Sequence, residues 1–121
     1  MKSSLPPDEI VKRIEKALDR DGTHAWSDMV ELLKAGKCQM FWNDHGAWIT
    51  EIIQFPRAKH LHCWVVAGEL PGVMDIQKQV EKYSKAMNCN RITATARTGW
   101  KHVAREYGWK ESAMSIVKEV A

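Results

Sequence analysis

No stretch of this sequence is apolar for anything near the ~20 residues that span a bilayer, so nothing in it reads as a membrane-spanning helix. Cysteine is scarce. Cys38, Cys63 and Cys89 are odd in number, far apart and set in apolar patterns, which suits reduced thiols packed in a core better than a disulfide framework. Charge of one sign is nowhere concentrated: the net charge is +3, and the lysines and arginines are interleaved with acids, so no basic block indicates nucleic acid as a partner. Residues 1–7 lack the apolar core of a secretory signal, and the expected location is the cytoplasm in which the chain is made. There is no internal repeat, linker or low-complexity segment, and no Walker, dinucleotide or Ser/His/Asp signature.

What is present is a globular composition, 45% hydrophobic and 27% charged, in 121 residues. A chain of that length forms one domain and buries about two-thirds of its unfolded surface, so it needs neither disulfide nor metal to hold it. Tryptophan is abundant: Trp26, Trp42, Trp48, Trp64, Trp100 and Trp109. Most are expected in the core, and others can anchor an interface, where this residue is enriched.

Pro6 and Pro7 precede a segment in which Ile10, Val11, Ile14, Ala17 and Leu18 keep helical spacing, with Asp8 and Glu9 favouring its start and Gly22 closing it. Thr23 or Ser27 can cap a second helix that ends near Gly36, with Trp26, Met29, Val30 and Leu33 along its inner side. The pattern then changes to strands. Lys37–Asn43 and Ala47–Gln54 flank Asp44-His45-Gly46, whose residues tolerate positive φ, and read as a hairpin. A turn at residues 55–59 leads to His60–Ala67, where Leu61, Cys63 and Val65 alternate with His62, Trp64 and Val66 in an apolar strand expected at the centre of the sheet.

After the loop 68–72, Ile76, Val80, Tyr83 and Met87 share one helical face, and Asn88 stops that helix. Arg91–Trp109 then reads as strand, turn and helix. Ile92, Ala94 and Ala96 alternate with Thr93, Thr95 and Arg97; Thr98 can cap; Trp100, Val103, Ala104 and Tyr107 form an apolar stripe; Gly108 can supply the left-handed residue that ends it. Glu111–Val120 reads as a final strand. A strand, a helix of about 13 residues and a strand make a crossover long enough for a parallel pair. The fold class is therefore α/β or α+β with a mixed sheet: two helices, a three-strand antiparallel meander, then helix, strand, helix, strand.

Three groups of residues could carry chemistry. Glu51, on the second strand, can serve as a general base through water, or stand as a solvated or paired strand carboxylate. His60 and His62 point to one face of their strand, a separation that can bind zinc, with Cys63 on the other, but no second ligand pair accompanies them. Arg97, at the mouth of the last helix, can hold an anion or fix its turn through an ion pair.

The words DGTHAWSDMVELLKAGKCQMFW, ITEIIQFPRAKHLHCWVVAGEL and ARTGWKHVAREYGW, in this element order, resemble small bacteriophage and prophage proteins with the fold of the GCN5-related N-acetyltransferases (GNAT). Gly22-Thr23-His24, Thr50-Glu51-Ile52, Phe55-Pro56-Arg57 and Arg97-Thr98-Gly99-Trp100 occupy the places of that group's recurrent words. The resemblance implies a single GNAT-like domain over residues 1–121. In an active member, acetyl-CoA would be the cofactor, with its pyrophosphate on backbone amides between the central strand and the next helix, near Gly68 and Gly72, with Arg97 close by and Glu51 as base. This chain departs from that pattern. The Gln/Arg-x-x-Gly-x-Gly/Ala spacing is absent, Pro71 has no amide to donate, Glu69 adds negative charge, and Ala104 stands where many members carry an acid Tyr; Tyr107 is three residues away, on a different part of the helix. The resemblance thus implies a degenerate acetyltransferase fold without cofactor, acting as a structural or interaction module on other phage proteins or copies of itself, in the host cytoplasm or in the virion near the portal or neck. The alternative is an acyl-CoA-dependent N-acetyltransferase.

Overall fold

The computed structural model describes residues 5–95 and 100–120. Helix α1 (Asp8–Asp21) starts behind Pro7 and ends at Gly22, whose φ of 71° is the left-handed value that closes a helix with least cost in glycine. Its Ile10, Ile14 and Leu18 are buried, at the i, i+4 spacing of one stripe. Helix α2 (Trp26–Lys34) begins behind Ala25, not behind Thr23 or Ser27. The Asp28 carboxylate reaches back from the first turn and accepts the Ala25 N–H at 2.9 Å, while no side chain caps the first-turn amides.

The meander is β1 (Gln39–Asn43), β2 (Gly46–Gln54) and β3 (Lys59–Gly68), all antiparallel. A 3-10 turn over Gly72–Ile76 leads into α3 (Gln77–Ala86), and β4 (Arg91–Ala94) returns parallel to β3. Helix α4 (Lys101–Glu106) follows. The sheet order is β1-β2-β3-β4, the mixed arrangement expected of the crossover. The proposed cap Thr98 and the anion candidate Arg97 lie outside the described residues.

Two cores sandwich the sheet. On one face α1 and α2 bury Ile10, Ile14, Leu18 and Met29 against Met40, Ala47, Ile49, Val65 and Ala67. On the other, the 3-10 turn and α3 bury Val73, Met74, Ile76 and Val80 against Phe41, Trp48, Leu61 and Cys63. All six tryptophans pack in or against one of these cores.

The alternation in β3 holds in burial but not in direction. Leu61, Cys63, Val65 and Ala67 are all buried, yet the first two face the α3 core and the last two the α1 core. The cause is a bulge: Thr50 pairs with Cys63 and Ile49 with Val65, so Trp64 is an extra residue without a partner in β2. One extra residue in a period of two exchanges the faces of everything beyond it.

The final strand expected over Glu111–Val120 is not formed. Residues 110–120 carry neither helix nor strand and are exposed throughout. A strand needs a neighbour to satisfy its backbone, and within the described residues this segment has no ladder partner.

Candidate functional site

The turn at residues 55–58 fixes Gln54 opposite Lys59, and three residues further on Glu51 stands opposite His62. The parallel ladder sets Thr93 beside His62 on the adjacent strand. All three point to the face that carries α1 and α2, since Ile49 and Met40 on that face fix the alternation. His62 Nδ1 lies 2.8 Å from the Thr93 hydroxyl, and Nε2 lies 3.4 Å from that of Thr95. A neutral imidazole has one donor and one acceptor nitrogen, and a hydroxyl can answer either. Burial pushes the His62 pKa below its usual value, and the neighbouring Glu51 carboxylate opposes that shift. The ring is therefore neutral near pH 7, half-buried and backed by a carboxylate, which is the state of a group that can accept a proton.

This cluster sits one rung before the end of the β3–β4 ladder. Pairing ends at Cys63–Ala94, immediately before the Trp64 bulge, and Trp64–Gly68 continue without a partner on that side among the described residues. Trp64 packs against the first core and its ring meets His24 at 4.9 Å between centroids.

His60, the other member of the spaced histidine pair, rests edge-on against Phe55, 4.9 Å between centroids. Among the described residues no group of three or more His, Cys, Asp or Glu could hold a metal ion. The thiols are core groups: burial pushes Cys63 up to about 12, and burial followed by the Glu51 charge raises Cys38.

A second assembly lies at the far end of β3. Asn43 closes the β1–β2 turn by accepting the His45 and Gly46 N–H groups at 2.8 and 3.1 Å, while its own Nδ2 donates to the Gly72 carbonyl at 2.9 Å. This seats the turn on the loop after β3. The Glu69 N–H donates to the His45 carbonyl, the Val73 N–H to the Glu69 carbonyl and the Met74 N–H to the Pro71 carbonyl, each at 2.9 Å. The Trp48 indole donates to the Val73 carbonyl at 2.9 Å. Glycine is required at both candidate positions by this packing: a Cβ on Gly72 would overlap the His45 ring, and one on Gly68 would overlap the His45 carbonyl. The Glu69 carboxylate is paired with Arg13 of α1.

No family model matches the sequence, and no curated protein matches it. Solved structures do. An acetyltransferase from Trypanosoma brucei is similar with a TM-score of 0.67 at 10% identity, over 97% of each chain. An aminoglycoside acetyltransferase from an uncultured soil metagenomic sample gives 0.67 at 11%, over 94% of this chain and 90% of that one. Glucosamine-6-phosphate N-acetyltransferase from Arabidopsis thaliana gives 0.61 at 14%, over 100% and 83%. The fold is that of the GNAT acetyltransferases. At such identities the likeness concerns fold alone.

Within a GNAT fold, the loop carrying Gly68 and Gly72 is where the resemblance would put a cofactor pyrophosphate, and that group needs outward-facing amides. Here the Glu69 N–H already donates to the His45 carbonyl, Pro71 has no N–H, and the two glycines admit the hairpin turn. The residues present do not fit a pyrophosphate. Helix α4 carries Ala104 half-buried, and the Tyr107 carbonyl accepts from Gln77 Nε2 at 2.8 Å, an arrangement that helps seat the C-terminal helix. Sequence reasoning missed Asn43 and His45 in this lock, and it weighed His62 only as a zinc ligand. Counting the register back from the 55–58 turn would have found the Glu51–His62 pair.

Proposed function

We propose that this domain is a GNAT-fold module that does not take up acetyl-CoA at the loop after β3 and works by binding other macromolecules. The observation that carries this reading is the lock of the β1–β2 turn onto residues 68–72: the Glu69 N–H is taken by the His45 carbonyl, Pro71 has none to offer, and the turn fills the space beside Gly68 and Gly72. The setting that the resemblance supports is a bacteriophage particle, with the domain as an accessory near the portal or neck and other phage proteins as its partners. Calorimetry with acetyl-CoA tests the central point: no heat of binding is expected at millimolar ligand, and tight 1:1 binding would overturn the proposal. Mass spectrometry of purified virions tests the setting, which fails if the particle contains no copy of the chain.

One observation favours a second reading, that of an N-acetyltransferase. Glu51 and His62 form a buried-side base near the end of the β3–β4 ladder, suited to taking a proton from an acceptor amine. The same calorimetry separates the two readings. If acetyl-CoA binds, loss of transfer in His62→Gln with binding retained would assign the base, and unchanged transfer would remove His62 from that role.

A further inference from the structure

The net charge of +3 is spread along the sequence but not over the fold. From Ile52 to Gly68 and from Lys82 to Arg105 there is no Asp or Glu, whereas these stretches hold two and six of the 18 lysines and arginines. Within each stretch the basic residues stand two to six positions apart, so they form no block in the sequence. The sheet gathers them, because β3 and β4, one from each stretch, are parallel neighbours that start at the same end of the molecule.

That end is braced by its own backbone. The Phe55 N–H donates to the Ala58 carbonyl at 2.7 Å, and Gln54 Nε2 donates to the Phe55 and Ala58 carbonyls at 2.8 and 3.2 Å, which closes the β2–β3 turn. The Lys59 N–H donates to Asn90 Oδ1 at 2.8 Å and the Asn90 N–H to the Lys59 carbonyl at 2.9 Å, so the turn and the start of β4 hold each other. Asn88, with a φ of 60°, turns the chain out of α3, and its N–H donates to the Lys85 carbonyl at 3.1 Å. Arg57, Lys59, Lys85 and Arg91 are thereby brought to one end of the sheet, with Lys82 a turn earlier on the side of α3 opposite its buried Val80 and Ser84. Four of the five are exposed and Lys59 is partly so, and none forms an ion pair among the described residues.

An aromatic face completes the surface. Phe55 is 41% exposed and stands edge-on to His60, which lies beside Arg91 in the parallel ladder. The core beneath α1 and α2 takes Ala47, Ile49, Val65 and Ala67 from this face of β2 and β3, all on the far side of Glu51 and His62, and leaves Ile53 and His60 partly open. Fixed cations around an open aromatic ring suit a partner that carries phosphates at regular intervals and flat, unpaired bases between them. A duplex keeps its base faces stacked inside, and an acidic peptide has none, so neither would use the Phe55–His60 pair.

We propose that this end of the sheet binds single-stranded nucleic acid, with its phosphates on Arg57, Lys59, Lys82, Lys85 and Arg91 and an unpaired base stacked on Phe55. The inference goes beyond the proposed function by giving the domain a partner of defined chemistry. It does not depend on whether acetyl-CoA binds, since the length of β3 separates this surface from the loop carrying Gly68 and Gly72 by about 30 Å at the rise of a strand.

Fluorescence anisotropy of a labelled oligothymidylate of about 15 nucleotides, titrated with the full chain at about 50 mM salt, should show saturable binding whose log K falls with log salt at a slope of roughly −3 to −4 for five phosphate contacts. The double variant Lys85→Glu, Arg91→Glu should weaken binding about tenfold or more and flatten that slope. Lys12→Glu, Lys16→Glu, on the exposed side of α1, should have a much smaller effect. Phe55→Ala should weaken binding about fivefold or more at an unchanged slope, as the loss of a stacking partner does. No binding by the wild type, an equal loss in the α1 variant, an unaffected Phe55→Ala, or a duplex held as tightly as the single strand would each overturn the proposal. Amide chemical shifts of the 15N-labelled wild type read the contact without any substitution. Perturbations at residues 54–60 and 85–93 are expected on adding the oligothymidylate, and shifts confined to other parts of the chain would overturn it.

Discussion

Gly46 shows how one position can be decided by a strand distant in sequence. It is buried opposite Gly68, and a Cβ there would overlap the Ala67 carbonyl oxygen, a backbone atom that cannot rotate away. Gly46→Ala should therefore destabilise the fold by about 1–3 kcal/mol, the usual cost of overpacking a close approach, read as a lower urea midpoint. In the sequence Gly46 is a turn residue, and its turn was legible. That its hydrogen faces a third strand was not, because the requirement comes from Gly68, 22 positions away. Asn43 is similar: a polar residue ending a strand is unremarkable in sequence, whereas in the structure it ties the hairpin turn to the Gly72 carbonyl.

Among elements, α1 was the most legible, because a long amphipathic stripe ending in glycine leaves little choice of structure. It contributes three fully buried aliphatic side chains to the first core, and Leu18 is 1% exposed. Leu18→Ala should cost about 2–5 kcal/mol, the range for a leucine deleted from a core that relaxes only partly; a thermal scan that shows no fall in Tm would contradict the packing described. The three strands of the meander were located to within a residue or two, because turn residues bracket them. The direction of β3 side chains was not legible. Nothing in Leu61–Ala67 marks Trp64 as the extra residue; only its pairing with β2 does so. At the C-terminal end, Glu111–Val120 has the pattern of a strand but joins no sheet among the described residues, so propensity alone could not place it.

For the molecule as a whole, the neutral, half-buried His62 predicts a pH response. The unfolded chain takes up a proton on this ring near 6.5, whereas the folded ring does so only at lower pH, chiefly because burial disfavours its charge. Between those values the unfolded state binds more protons, so stability should fall as the pH drops below about 6.5 and should be fully present above it. Urea titrations at a series of pH values should show this slope, and His62→Gln should remove part of it; an identical slope in the variant would mean that other groups carry it. The direction is independent of function, since it follows from burial, which outweighs the opposing Glu51 charge.

The sequence by itself determined the helices, the meander, their order, the mixed sheet and the buried stripe of α1, because local periodicity, turn chemistry and crossover length are properties of neighbouring residues. It also showed that the loop after β3 lacks the glycine spacing that the resemblance implies. The tertiary structure decided what fills that loop, which face each half of β3 presents, that Glu51, His62, Thr93 and Thr95 converge, and that the last segment joins no sheet among the described residues. Each of these depends on contacts between residues more than ten positions apart, whose register is set by packing a bulged strand between two cores, and no local pattern encodes that.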